Sequence, residues 1–202
     1  MVIHYHTGDL PESLVFSGSI AIDTEAMGLN NARDRLCVVQ ISEGNGDAHL
    51  LHLVDRGFDC PNLKKILSDH NKLKIFHFAR FDVAILQHSL AIDISNIYCT
   101  KIASKLARTF TEHQGLRDLC HDLLGIKISK QQQTSDWGQQ KLTQEQIEYA
   151  ANDVLYLHKL KNVLDKLLVR EGREEIAKKC FDFLPTLARL DVFGWGIQLF
   201  EH

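Results

Sequence analysis

The pattern of apolar and polar positions changes along the chain, from short β-type runs in the first half to helical periodicity in the last third. Residues 19–23 form a short apolar run that ends in a carboxylate, and residues 36–41 are nearly all apolar. A third run, residues 48–53, follows the turn-forming stretch 44–47. Such a turn between two apolar runs predicts an antiparallel hairpin. We expect this hairpin to lie in the same sheet as the first strand.

Strands and helices alternate through the middle of the chain. Pro61 is typical of a first helical turn, residues 74–77 have the pattern of a strand, and residues 81–86 have that of the next helix. A weaker strand is predicted over residues 92–99, which makes five strands in all. The chain is therefore predicted to be an α/β protein, with a mixed five-stranded sheet flanked by helices and a helical C-terminal third.

The last third of the chain combines a helical pattern with an apolar tail. Thr143 and Gln146 form a capping-box pattern ahead of a long helix predicted from residue 144 to about residue 170. Residues 171–202 are rich in apolar and aromatic side chains. Such a tail either folds back on its own domain or forms a subunit interface. We expect a single domain over residues 1–202 that includes this tail.

Composition narrows the class of protein. A chain of 202 residues, 45% of them hydrophobic, can bury a core without a disulfide or a structural metal. The five cysteines are widely spaced, with no CxxC pair, and are expected to be reduced thiols. No signal-peptide pattern opens the sequence, and no apolar run approaches the ~20 residues of a membrane span. A cytoplasmic location is therefore expected.

The charge balance permits nucleic acid as a ligand but limits how it is bound. Lys and Arg total 23 against 26 Asp and Glu, a formal net charge of −3. Non-specific affinity for long duplex DNA comes mainly from neutralising phosphates, for which this chain has no basic excess. A site that holds several carboxylates needs bound cations before a phosphate can approach it. The balance favours short or weakly held substrates.

Acidic residues recur where the predicted elements end or begin. Asp23 and Glu25 are two apart at the end of a strand, so their side chains point the same way. Asp82 falls in the first turn of a helix, where the macrodipole alone favours an acid. Tyr149 and Asp153 are four apart and share one face of the long helix, off the centre of its apolar stripe. Each signal alone is typical of a polar turn or a solvated face.

Together these residues resemble the motifs of the DEDD exonucleases, in their tyrosine subclass. An Asp-x-Glu on a first strand, an Asp at a later strand-to-helix junction and a Tyr-x-x-x-Asp on a C-terminal helix occur in the family's order, within about residues 18–160. The histidine subclass would have a histidine at position 148, which is Glu148 here. The sequence is similar to ribonuclease D, and residues 23–29 and 36–40 resemble its short nanoRNase C type.

The resemblance implies a ribonuclease H-like, DnaQ-like fold and a 3′-5′ exonuclease that uses two divalent cations, Mg²⁺ or Mn²⁺. Asp23 would bridge both ions, and Asp82 would support the second. Glu25 and Asp153 would complete the site of the attacking water, which Tyr149 would orient. These residue types suit phosphodiester cleavage, because hard cations prefer oxygen ligands and a metal pair can activate water and stabilise the leaving oxygen.

The same resemblance implies substrate contacts at six positions. Leu29, after Gly28, would wedge against the terminal bases, unless the pair is a turn glycine and a packed leucine. His77 would face the nucleotide or be a core histidine. Lys130 would contact phosphate, and Trp137 would stack on a base or anchor a polar loop. The six positions are Gly28, Leu29, His77, Lys130, Gln133 and Trp137.

The implied substrate is short single-stranded RNA, down to dinucleotides, and the implied assembly is a homo-octameric ring. Ribonuclease D carries further helical nucleic-acid-binding domains, which these 202 residues do not contain. Two other functions stay open at this point: a 3′-5′ DNA exonuclease of repair type, and a non-catalytic nucleic-acid-binding protein on the same fold. The motifs do not separate RNA from DNA, since that choice depends on contacts to the 2′-hydroxyl.

Overall fold

A computed structural model describes residues 2–54, 58–129 and 131–201. Within these ranges, strands come first, then strands and helices alternate, and helices follow to the C-terminus. The elements are β1 (Ile3–Thr7), β2 (Ile20–Ala26), β3 (Leu36–Ser42), β4 (Ala48–His52), α1 (Pro61–Ser68), β5 (Lys74–Phe76), α2 (Ala79–Leu90), β6 (Ile97–Cys99), α3 (Thr100–Ala107), α4 (Leu116–Leu124), α5 (Gln144–Leu155), α6 (Leu157–Glu171), α7 (Glu174–Val192) and a 3₁₀ helix (Ile197–Phe200).

The strands form one mixed sheet in the order β1-β4-β3-β2-β5-β6. β3 pairs antiparallel with β2 and β4, whereas β1 pairs parallel with β4, and β5 pairs parallel with β2 and β6. The predicted hairpin is confirmed, with Val39 of β3 opposite Leu51 of β4. Gly44 and Gly46 take φ angles of 81° and 99° in the turn between them. Glycine adopts such positive angles without the steric penalty of a Cβ atom.

The α/β fold class is as predicted, but the sheet has six strands rather than five. The added strand is β1, whose residues are half-buried or exposed and include His4 and His6. A short polar edge strand gives too weak an apolar pattern to be recognised in the sequence. At the other edge, β6 is shorter than the predicted span 92–99. Ala91 and Asn96 take positive φ angles of 53° and 55°, which keep the residues around them out of extended structure.

The helix predicted over residues 144–170 is in fact two helices, α5 and α6, which meet at Tyr156. α5 packs against β2, β3 and β4, whereas α6 packs against α3 and α4. The apolar stripes of the two helices have different partners, and the helix is interrupted between them. The capping box is confirmed: Thr143 Oγ1 accepts from the Gln146 backbone N–H at 3.3 Å, and Gln146 Oε1 accepts from the Thr143 N–H at 2.9 Å.

The core lies on both sides of the sheet. All seven residues of β3 are buried, which requires other elements to cover both faces of the central strands. α2 contacts β3, β5 and β6, and α5 contacts β1 through β4. The five cysteines are free thiols, as expected. None of the helices in the described ranges is long and apolar enough to cross a membrane.

The C-terminal segment is partly packed and partly exposed. α7 packs against α2 and β6 and buries Phe181 and Leu184. Beyond α7, the side chains of Phe193, Trp195 and Phe200 are exposed. The helix therefore folds back on the sheet, while the residues after it present an aromatic surface.

Candidate active site

The parallel pairing of β2 with β5 brings the first two acidic motifs to one edge of the sheet. Ala21 pairs with Ile75, so the carboxyl ends of both strands point the same way. β2 continues into Asp23, and β5 is followed by α2, whose first turn holds Asp82. Thr24 Oγ1 donates a hydrogen bond of 2.6 Å to Asp82 Oδ1, which joins the two motifs directly. Ligand clefts form at such strand ends in open α/β sheets.

Helix α5 supplies the third motif to the same edge. Its contacts with β2, β3 and β4 place Tyr149 and Asp153 over the end of β2. One carboxylate oxygen from each of Asp23, Glu25 and Asp153 lies within 4.8 Å of the other two. The three separate sequence signals therefore converge on one site.

These groups line a cleft of about 340 Å³. Its lining includes apolar side chains from α2 and α4 and polar ones from the segment before α5. The predicted residues that line it are Asp23, Glu25, His77, Asp82, Gln133, Tyr149 and Asp153.

Burial raises the pKa values of all four carboxyl groups, and repulsion by neighbouring carboxylates raises those of Asp23, Glu25 and Asp153 further. For Asp23, burial comes first, followed by Asp82 and Asp153, and the pKa is raised well above its ordinary range. Burial and the same two neighbours raise the pKa of Glu25 to about 9. The pKa of Asp82 is raised to about 7, mainly by burial, and that of Asp153 also to about 7. As carboxylates, these groups are unfavourable together until a cation joins them.

The donor set fits a hard divalent cation. Asp23, Glu25 and Asp153 offer only oxygen atoms, at separations that one ion can bridge. Mg²⁺ and Mn²⁺ prefer carboxylate and water oxygens, whereas softer metals favour thiolate or imidazole. The acidic cluster is thus a candidate magnesium or manganese site.

Tyr149 is held beside these carboxylates as a neutral phenol. Burial raises the pKa of its hydroxyl, and Asp153 and Glu25 raise it further. A phenol in this state is a hydrogen-bond donor at neutral pH. Its ring lies 6.1 Å, centroid to centroid, from the ring of Trp137, which is only 2% exposed. In this structure Trp137 packs on Tyr149 from within the core, which favours the anchoring role.

The remaining predicted substrate residues lie apart from the cleft or outside the described ranges. Leu29 is 88% exposed in the loop after β2 and is therefore not a packed leucine. A Cβ atom on Gly28 would collide with the carboxylate of Asp34, so the glycine allows that side chain to approach the loop. Neither residue lines the cleft as the structure describes it. Lys130 lies outside the described residues.

His77 lies largely buried at the cleft, and several further cleft residues were not predicted, Phe78 and Arg117 among them. His77 lines the cleft while only 9% exposed, and its Nδ1 lies 2.9 Å from Thr100 Oγ1. Phe78 and Arg117 also line the cleft. Phe78 directly follows His77 at the strand-to-helix junction, a position that could have indicated it. Arg117 is the second residue of α4, a helix for which the sequence carried no signal.

Comparison with known proteins agrees with this geometry. A family model described as 3′-5′ exonuclease matches residues 8–169. The chain belongs to the 3′-5′ exonuclease family. Members of this family are phosphodiester hydrolases, and the predicted resemblance to ribonuclease D-like exonucleases is confirmed.

Curated members of the family are longer than this chain. A ribonuclease D of Gluconacetobacter diazotrophicus is 32% identical over 154 residues, which cover 76% of this chain and 39% of that protein. A DNA polymerase I of Aquifex aeolicus is 31% identical over 201 residues, 89% of this chain and 32% of the polymerase. The chain thus spans well under half the length of these relatives.

Solved structures of similar length give a fuller match. Brucella melitensis NrnC bound to pGG is 50% identical, with a TM-score of 0.93, and the match covers 96% of this chain and 95% of that one. The same protein with bound Mg²⁺ is also 50% identical, with a TM-score of 0.91. The predicted likeness to the nanoRNase C type is therefore confirmed. Escherichia coli RNase D shares the fold, with a TM-score of 0.74 at 22% identity.

Proposed function

We propose that the chain is a metal-dependent 3′-5′ exoribonuclease that releases 5′-mononucleotides from short single-stranded oligoribonucleotides, dinucleotides included. The observation that carries the proposal is the convergence of Asp23, Glu25 and Asp153 in one cleft. Asp82 and Tyr149 line the same cleft. The half-identical NrnC, solved with pGG and with Mg²⁺, supports the substrate class and the metal.

Two divalent cations, Mg²⁺ or Mn²⁺, are proposed for this cleft. Asp23 would contact both, Glu25 and Asp153 would hold the first, and Asp82 would support the second. When bound, the cations would supply charge neutralisation at the scissile phosphate, an acidified water and stabilisation of the leaving 3′-oxygen. The crowding that raises the pKa values of these carboxyl groups supports this reading, because cations would relieve it.

The chain's own residues would orient the reactants. Tyr149, neutral because its pKa is raised, would donate a hydrogen bond that orients the attacking water beside Asp153. Trp137, packed on the Tyr149 ring, would hold that phenol in position. Thr24, bonded to Asp82 at 2.6 Å, would fix the carboxylate on α2. Orientation of this kind lowers the barrier without any covalent step on the protein.

Of the residues proposed to contact the substrate, some line the cleft and others lie apart from it. His77 and Gln133 line it and are placed to meet a nucleotide. Leu29 is exposed in the loop after β2, where it is free to contact a terminal base. Gly28 would serve mainly to shape that loop, and Lys130 is proposed from the sequence alone.

A homo-oligomer is proposed on the strength of the C-terminal surface. Residues 171–202 would belong to one domain with the rest of the chain, and the exposed aromatic side chains after α7 would meet another subunit. The octameric ring and the cytoplasmic location stay predictions of the sequence.

A length and sugar series tests the proposed substrate. A 5′-labelled RNA dinucleotide and a 20-mer would be incubated with Mg²⁺ or Mn²⁺, each beside its DNA counterpart. Fast release from the RNA dinucleotide with slow trimming of the 20-mer is expected. Efficient trimming of DNA alone would favour the repair-type alternative, for which the polymerase relative provides the precedent. Binding without cleavage of any substrate would favour the non-catalytic alternative.

A further inference from the structure

An ion pair ties the first turn of α2, which carries Asp82, to the end of α7. Arg80 Nε donates to Asp191 Oδ2 at 2.6 Å, and Arg80 Nη2 donates to Asp191 Oδ1 at 2.7 Å. The Asp191 side chain is 14% exposed and that of Arg80 is 35% exposed. A two-point arginine–carboxylate contact fixes direction as well as distance, which a single contact does not.

The first turn of α2 is packed in the core but has no side-chain cap at its start. The residue before the helix is Phe78, which has no side-chain oxygen to accept the free backbone N–H groups of the turn. Asp82 is held on one side by Thr24 of β2, through the 2.6 Å hydrogen bond. Arg80, two residues earlier in the same turn, is held on the other side by Asp191. Side-chain hydrogen bonds therefore join the first turn of α2 to two separate elements, β2 and α7.

The α7 side of this contact is built around a backbone that only glycine fits well. Gly196 has a φ of +54°, and a Cβ atom there would lie 3.3 Å from Asp191 Oδ1 and 3.7 Å from Arg80 Nη2. The backbone N–H groups of Trp195 and Gly196 both donate to the carbonyl of Leu190. The chain thus turns back against the pair, which keeps the Asp191 carboxylate directed at Arg80.

We infer that the Arg80–Asp191 pair is a positioning device that sets the place of Asp82 in the metal site. The inference rests on the proposed function of the cleft. Neither side chain lines the cleft within the described residues, so the pair would act through the backbone of the first turn of α2. Weakening the ion pair would let Asp82 move relative to Asp23 and would lower the affinity of the site for cations.

The test compares Arg80→Gln, Asp191→Asn and the double variant with a matched control. The control is Arg189→Gln, because Arg189 Nη1 lies 3.9 Å from Asp93 Oδ1 in a largely exposed pair that also joins α7 to the region of α2. Mn²⁺ affinity would be measured by calorimetry, and the Mn²⁺ concentration for half-maximal cleavage of an RNA dinucleotide would be measured alongside it. Thermal unfolding would report folding.

Each single variant is expected to weaken Mn²⁺ binding roughly tenfold, the scale seen when a residue that supports a metal ligand is removed. The double variant should lose no more than either single one, because both remove the same contact. kcat at saturating Mn²⁺ should change little, and the control should match the wild type. Arg80→Lys, which keeps the charge but not the two-point geometry, should lie in between and serves if the other variants unfold.

Unchanged Mn²⁺ affinity in folded Arg80→Gln and Asp191→Asn would overturn the inference, as would an equal loss in Arg189→Gln. If the wild type binds Mn²⁺ but cleaves no oligonucleotide, the proposed function fails, while the calorimetric comparison still decides the role of the pair.

Discussion

Buried charges lie at both ends of β5, Lys74 at its start and Asp82 just beyond its end. The Lys74 side chain is fully buried, and its Nζ donates to the carbonyl oxygens of Asp69, Lys72 and Ser95 at 2.6, 2.9 and 3.0 Å. The ammonium group is thus satisfied within the chain. At the other end, Asp82 shares a cleft with three further carboxylates.

Lys74 is a buried charge that stabilises the fold, whereas the cleft carboxylates are buried charges that need a bound cation. A buried charge with a full set of hydrogen bonds is costly to remove, because its buried partners are then left unpaired. A crowded set of carboxylates is destabilising by itself and becomes favourable when cations bind. Substitutions at the two ends of β5 should therefore have opposite effects on stability and activity.

The largest effect is expected from Asp23→Asn, which removes one of the four carboxylates of the cleft. Cleavage should fall by about 10³-fold or more, because the central cation ligand is lost. Without metal, the variant should unfold at a higher temperature than the wild type, since one repelling carboxyl group is gone. Asp59→Asn, at an exposed position, is the control for both measurements. A lower unfolding temperature for Asp23→Asn would contradict the proposed repulsion among the cleft carboxyl groups.

Lys74→Met tests the other end of the strand. The free energy of unfolding should drop by about 2–4 kcal/mol, because three buried carbonyl oxygens lose their donor. The turnover of the folded fraction should stay close to that of the wild type, since Lys74 does not line the cleft within the described residues. Denaturant unfolding and kcat would be measured together, with the exposed Lys65→Met as control. A neutral effect on stability would show that the hydrogen bonds to Lys74 contribute little.

A smaller effect is expected from pH. The folded pKa values of Asp82 and Asp153, about 7, lie above the ordinary 3.8, so the folded chain keeps protons that the unfolded chain has released. Stability without metal should therefore be full below pH about 4 and decline as pH rises toward 7. Added Mn²⁺ should raise the unfolding temperature by about 3–8 °C at pH 8 and hardly at pH 5. Equal shifts at the two pH values would count against carboxylate ligands.

Trp137→Phe should have the smallest effect. The indole N–H is buried without a hydrogen-bond partner among the described residues, so phenylalanine removes an unfavourable group and keeps most of the packing on Tyr149. The stability change should be under about 1 kcal/mol, with a modest fall in kcat and no change in KM. A rise in KM alone would mean that Trp137 contacts the substrate, which is one of the two roles expected from the sequence.

The acidic site could be predicted from the sequence because two of its residue pairs depend on local spacing, and the resemblance to the DEDD exonucleases implies that the pairs act together with Asp82. Asp23 with Glu25, and Tyr149 with Asp153, are placed together by the geometry of a strand and a helix alone. The hairpin and the capping box at Thr143 are equally local. In the hairpin and the capping box, the interacting residues are close together in the sequence, so the local structure can be predicted from them.

What could not be predicted depends on partners far along the chain. β1 exists because β4 provides a parallel neighbour, and its own residues are mostly polar. The end of α5 at Tyr156 follows from the separate surfaces that α5 and α6 cover. Trp137 has an aromatic side chain that could stack on a base, yet it packs against Tyr149 within the core. Arg80 and Asp191 are 111 positions apart, and neither carries a signal of its own.

Metal-dependent cleavage at the acidic cluster is tested most directly with a 5′-labelled RNA dinucleotide, incubated with wild type or Asp153→Asn in the presence of Mg²⁺ and after chelation by EDTA. Labelled mononucleotide is expected from the wild type with Mg²⁺ only, and none from Asp153→Asn under either condition while its fold is retained. Cleavage that survives chelation, or near-normal turnover by Asp153→Asn, would contradict the assignment of these carboxylates to a metal-dependent exonuclease site.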